Sequence, residues 1–230
     1  MYAFAIRIYA MIFAGCVFVS IIVVKRLKIS PSIFFIGAAA YFAAAVVDKI
    51  FSMSIFFSAY EHLPYAVYNV YVWAVYSAYI YFIILMIART VKYKEPYIPN
   101  AIGFGLGYGI LQVVHLILAD LRPTLIIMLF YHHYEYDRDI FNFIAKIVHQ
   151  LAGVVFSIFI ALLIFKALRS GAKYFTFSIC ANIIWTILNF LSISYITASI
   201  RCTAAVIMMI YIVRQFRQSS NKEEMQIEQV

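Results

Sequence analysis

Seven long apolar stretches constrain this chain more than any other feature. They cover roughly residues 3–24, 32–58, 65–88, 100–119, 139–165, 174–195 and 197–213. A helix needs about 20 mostly apolar residues to cross the hydrocarbon core of a bilayer. All five prolines (Pro31, Pro64, Pro96, Pro99 and Pro123) fall between these stretches or in a first turn, where Pro is tolerated, so none is expected inside a helix. Strand-like alternation punctuated by turns does not appear, which argues against an outer-membrane barrel. A backbone in lipid must satisfy its own N–H and C=O groups, and helices are the remaining way to do so. Composition agrees: 66% of residues are hydrophobic and 12% charged, against about 45–50% and about 25% in soluble domains. The predicted fold is therefore all-α: a polytopic transmembrane bundle over residues 1–217, with a polar, frayed cytoplasmic tail at 218–230.

The few charges predict an orientation. Lys25, Arg26 and Lys28 follow the first stretch, and Arg89, Lys92 and Lys94 the third. Lys166, Arg169 and Lys173 follow the fifth, and Arg214, Arg217 and Lys222 the seventh. These twelve of the eighteen basic residues all fall on alternate loops. Arg122, Arg138 and Arg201 fall on the other side. The positive-inside rule then gives seven spans in a cell membrane, N-terminus out and C-terminus in. The net charge of +8 reads as loops facing anionic headgroups rather than as a nucleic-acid surface, because scattered threes make no basic domain.

Three local features need separate readings. Residues 124–133 are apolar but short, and an eighth crossing there would put 166–173 on the wrong side, so they are expected to be re-entrant or interfacial. Cys16 lies in a faint lipoprotein-like box, but the apolar run continues to Val24 and meets Lys25, as a span would. Cys16, Cys180 and Cys202 have no paired spacing and predict neither a disulfide framework nor a thiolate metal site.

Polar groups within the spans are the candidate site, because ionisable residues are expensive in lipid. The fourth stretch carries Gly103, Gly105, Gly107 and Gly109, two interleaved small-xxx-small pairs that let helices approach closely. On the same helix Tyr108, Gln112 and His115 fall at i, i+4 and i+7, on one face. They read either as an interhelical hydrogen-bond stripe or as a ligand- or metal-binding face. Asn142, Lys146 and His149 repeat that spacing in the fifth stretch, beside Gln150. Asp48 and Lys49 interrupt the second, and Asp48 could pair with Lys146 or Arg7. The sixth stretch holds Asn182, Trp185 and Asn189, and the third a row of Tyr65, Tyr68, Tyr76 and Tyr79 expected to pack on neighbours or form interfacial belts. The loop from His132 to Asp139 mixes imidazoles and carboxylates and reads as a solvated acidic loop.

The order of these features resembles a known family. A Gly-Ala-Ala-Ala-Tyr-Phe run (37–42) precedes the acidic break at Asp48. A long third stretch ending in basic residues follows, then the Gly-x-Gly-x-Gly helix, a helix with an interior His, and one ending in Asn189-Phe190. Over roughly residues 30–195 this is similar to the YhfC-type membrane proteins, a family read as intramembrane metalloproteases and distantly related to CAAX-protease-like proteins. The resemblance implies a metal, zinc by its chemistry, that activates water for peptide hydrolysis. It also implies a Glu pair in the third span, a Gly-His-Gly-x-x-Glu motif in the fourth, and later histidines. Here the third span reads Val75-Tyr76-Ser77-Ala78-Tyr79-Ile80. Tyr108 and Gln112 stand at the family's His and Glu, His149 matches a later His, and Trp185 falls at the last. His115 and His149 remain as two possible zinc ligands, short of the three a catalytic site uses.

The expectation is a non-catalytic relative that binds a membrane protein or peptide in the former catalytic cavity, walled by Tyr108, Gln112, His115 and His149, with Asp48, Lys146 and Asn189 as further lining candidates. No cofactor is expected unless the metalloprotease reading holds. The alternative is a small transporter or permease component with Asp48, Lys49 and Lys146 as coupling charges. A seven-span receptor is the third reading, disfavoured by short loops and by the lack of an Asp-Arg-Tyr-like motif after the third span.

Overall fold

A computed structural model describes residues 14, 15, 17–54, 83, 97–130, 140–190 and 195–227. Among these residues there are six helices and no strand. They are α1 (17–26), α2 (Pro31–Ser54), α3 (Tyr97–Phe130), α4 (Ile140–Ser170), α5 (Ala172–Phe190) and α6 (Tyr195–Ile227). The third apolar stretch, with its tyrosine row and residues 75–80, lies outside the described residues apart from residue 83, as does the loop 132–139.

Local chemistry sets the helix ends. At the end of α1, Lys28 adopts φ 50°. The Lys28 N–H bonds the Lys25 carbonyl and the Ile29 N–H bonds the Val24 carbonyl at 3.0 Å. This is a Schellman cap with a lysine in the left-handed position usually held by Gly. Ile29, just beyond it, is buried in the core. Ser30 precedes Pro31, which opens α2 with a preset φ and no N–H to leave orphaned. Further along the chain, α4 stops at Gly171, whose φ of 110° lets α5 begin at once.

The helices pack in a defined order. Gly37 of α2 abuts the backbone of Phe104, and Tyr41 reaches Tyr108 and His115, so α2 and α3 run parallel. Gly105 faces Ile158 and Gly109 faces Val154, so α3 and α4 run antiparallel. Trp185 of α5 stacks on Phe156 of α4, centroids 4.5 Å apart and planes 6° apart. Phe159 of α4 meets Tyr211 of α6 edge-on, and His149 meets Arg201, so α4 and α6 are parallel. Helix α4 touches α3, α5 and α6, and is the centre of the bundle. These directions put Lys25, Arg26, Lys28, Lys166, Lys173 and Arg214 at one end of the molecule.

Two helical segments are long and apolar enough to cross a membrane, Ile147–Leu168 and Ala198–Gln215. The first is mostly buried. The second turns Val206, Ile207, Met209, Ile210 and Val213 outward. Phe35 and Phe42 of α2 and Phe177, Ile184 and Ile187 of α5 are also exposed. Soluble monomers rarely show so much outward apolar surface.

Three expectations are corrected. Residues 124–130 do not form a separate re-entrant element but continue α3, a single helix of 34 residues. Pro123 therefore sits inside a helix, not between elements. Apolar helices tolerate this when neighbouring groups satisfy the freed backbone carbonyl. The tail read as frayed is helical to Ile227, because its Gln, Lys, Glu and Met residues are good helix formers.

The close approach at Gly107 gives a direct test. A Cβ there would strike the Phe34 carbonyl, whereas one at Gly153 would meet nothing within 4 Å. Gly107→Val should lower stability by about 3 kcal/mol or more, at or beyond the upper end of ordinary overpacking. Gly153→Ala should be neutral or mildly stabilising through helix propensity, by up to about 1 kcal/mol. Unfolding of the purified protein in detergent measures both.

Candidate functional site

The polar stripe on α3 divides between two neighbours. With 3.6 residues per turn, Gln112 is rotated about 40° from Tyr108 in one sense and His115 about 20° in the other. His115 and Tyr108 accordingly face α2. The Tyr41 hydroxyl lies 2.5 Å from His115 Nδ1, and the Tyr41 ring meets Tyr108 edge-on at 5.1 Å. Gln112 leans toward α4, where its Oε1 accepts from Ser157 Oγ at 3.4 Å. The single hydroxyl proton of Ser157 is shared with, and better placed for, the Gly153 carbonyl at 2.9 Å. His115 is exposed, while Tyr41, Tyr108 and Gln112 are half-buried.

A second junction lies on α4, α5 and α6. Arg201, only 1% exposed, is the largest fully buried side chain among the described residues. Its Nη1 lies 2.8 Å from His149 Nδ1, and its Nη2 donates to the Leu188 carbonyl in the last turn of α5. Arg is always protonated and only donates. Nδ1 of His149 therefore accepts, and the neutral imidazole carries its proton on Nε2. Arg201 therefore ties α6 to a backbone carbonyl near the described end of α5. Arg201 Nε and the Oε1 of buried Gln150 have no hydrogen-bond partner among the described residues.

His115 and His149 thus engage different neighbours: Tyr41 in one case, Arg201 in the other. Asp48, Lys146 and Asn189 lie on α2, α4 and α5, but their side chains are outside the described residues. No group of three or more His, Cys, Asp and Glu lies together among the described residues. Zinc also fits the chemistry of His149 poorly, since a cation there would sit beside a guanidinium. The described donor set does not assemble a hydrolytic metal centre.

Sequence reasoning missed two participants. Arg201 reads in the sequence as an orientation charge, although it sits inside an apolar run, the signal that marks a candidate site. Tyr41 sits four residues after Gly37 on the α2 face that meets α3, and only its place in the glycine–alanine run was noted.

Removing the guanidinium leaves two acceptors without donors. Arg201→Met should destabilise the protein by about 2–3 kcal/mol, the range for breaking buried charged hydrogen bonds. In a double-mutant cycle with His149→Leu, the coupling should be about 1 kcal/mol, within the range measured between membrane helices. A coupling of zero would show that the two side chains do not interact.

The chain matches no protein-family model, no curated protein and no solved structure.

Proposed function

We propose that the chain is a multi-pass protein of the cell membrane, with seven spans, N-terminus outside and C-terminus in the cytoplasm. In this reading it is a non-catalytic relative of the YhfC-type family and binds a membrane protein or peptide. The membrane part is supported by inverted polarity: on α6, Ile207 and Ile210 face outward while Arg201 is buried. The orientation is supported by the basic residues that share one end of the bundle.

The binding part is carried by one observation. His115 is exposed on an apolar helix, held by Tyr41, with Leu118 and Phe42 exposed on the same helix pair. A polar group facing hydrocarbon is costly unless another polar group meets it. The α2–α3 face therefore suits a helix or peptide that brings a hydrogen-bonding side chain to that imidazole. The test is a photo-crosslinking residue at His115, with one at outward Phe177 as control, in native membranes. A discrete adduct with one polypeptide from position 115 alone is expected. Equal lipid-only adducts from both positions would overturn the binding reading, and stoichiometric zinc lost on His115→Ala or His149→Ala would overturn the non-catalytic one.

A second reading, a small transporter coupled through Asp48, Lys49 and Lys146, is favoured by the buried charge of Arg201 within Ala198–Gln215. It predicts a proton-dependent flux in liposomes that Asp48→Asn abolishes. A flux indifferent to that substitution would count against it.

A further inference from the structure

At the basic end, three helices meet around one aromatic ring. Lys166, in the last turns of α4, places its Nζ 4.7 Å from the centroid of the Tyr174 ring in α5. Lys173 places its Nζ 5.3 Å from the same centroid. Lys166 also donates to Gln215 Oε1 of α6 at 3.3 Å, and Arg214 beside Gln215 is exposed. Lys173 is exposed and Lys166 half-buried. Between the two lysines the chain turns at Gly171, and a Cβ there would meet nothing within 4 Å, so the corner is open.

Two ammonium groups on one ring repel each other. The ring face attracts each of them but neutralises neither. No ion pair with a carboxylate involves either lysine among the described residues. The Gln215 amide takes one N–H of Lys166 and leaves two, and Lys173 has three. Both ammonium groups lie beside the Tyr174 ring near where Ile147–Leu168 ends, which is the depth of lipid headgroups if that segment crosses the bilayer. Basic pockets between membrane helices at such a boundary hold anionic headgroups.

We propose that the corner formed by Lys166, Lys173, Tyr174 and Gln215 binds the phosphate of an anionic lipid headgroup. Tyr174 and Gln215 hold the two ammonium groups in place, so the site is built rather than a diffuse property of the charged face. This rests on the membrane reading above.

The experiment compares two charge-matched variants in detergent by native mass spectrometry, with phosphatidylglycerol as probe and phosphatidylcholine as control lipid. Lys166→Gln/Lys173→Gln should weaken phosphatidylglycerol binding about thirtyfold, from roughly a fivefold effect per lysine. Lys25→Gln/Arg26→Gln, with the same loss of charge at the same end, should weaken it about threefold or less, by screening alone. Tyr174→Leu, which keeps every charge, should also weaken it and serves if the lysine pair fails to fold. Equal losses from both charge variants, no loss from either, or no effect of Tyr174→Leu would overturn a built site. Displacement of the lipid by millimolar inorganic phosphate would overturn the lipid assignment in favour of a free anion. Resistance of the full chain to alkaline extraction from membranes is measured in parallel. Extraction would sink the membrane reading itself, whereas resistance without selective binding would sink only this site.

Discussion

Helix α3 can lie between α2 and α4 only because its glycines alternate in direction. Residues two apart on a helix point to nearly opposite faces. Gly103 and Gly107 therefore open α3 toward α2, while Gly105 and Gly109 open it toward α4. At Gly105 the opposing atoms are the backbone of Ile158, and at Gly107 the backbone of Phe34 and Ala38. Lipid tails are as apolar as side chains, so burial alone does not drive membrane helices together. Close van der Waals contact does. Each contact is small, and many of them at short range make the stabilisation. Fully buried Ala40, Ala101 and Phe104 fill the seams beside the glycines. The register fixed in this way decides which polar side chains meet: Tyr41 comes level with His115, and Ser157 with Gln112.

The other side of α4 is held by different means. There the packing units are large: Trp185 on Phe156, and Tyr211 on Phe159. The polar link is a charge, and a guanidinium suits it better than an ammonium would. Its planar fork presents several N–H groups in fixed directions, so one side chain can reach an imidazole on α4 and a carbonyl on α5 while rooted in α6. Desolvating the charge is costly, and the return comes only if those bonds are kept. The result is a joint that tolerates little relative motion of the three helices. Helix α4 belongs to both halves, so a change in its position is felt at the Tyr41–His115 pair and at Arg201 alike.

Much of this was legible in residue spacing. Apolar runs predicted helices, and the interleaved glycines predicted close packing on α3. The i, i+4, i+7 pattern correctly grouped Tyr108, Gln112 and His115 on one side. It could not divide them between α2 and α4, because a spread of about 60° on a helix is enough to reach two neighbours. Pro123 misled because a rule about helix interiors was applied as a boundary marker, although apolar helices tolerate Pro. Arg201 was hidden by a competing explanation, since near a span end a basic residue already has a role in setting orientation. Only the location of Leu188 O and His149 distinguishes a bridging arginine from a flanking one, and neither is close to it in sequence.

The two histidines show why residue type alone does not assign chemistry in such a bundle. Both are candidates for a metal by composition. At His149 the partner decides otherwise: a permanent cation donates to Nδ1, so the ring is held neutral with Nε2 protonated, and a second cation is repelled from it. At His115 the partner is a phenol, which can either donate or accept. The ring there keeps both tautomers open, and it is exposed. An imidazole free to change its hydrogen-bonding sense can adapt to an incoming donor or acceptor, while one locked by a guanidinium cannot. The adaptable imidazole thus lies on the α2–α3 face, and the fixed one lies at the α4–α6 junction.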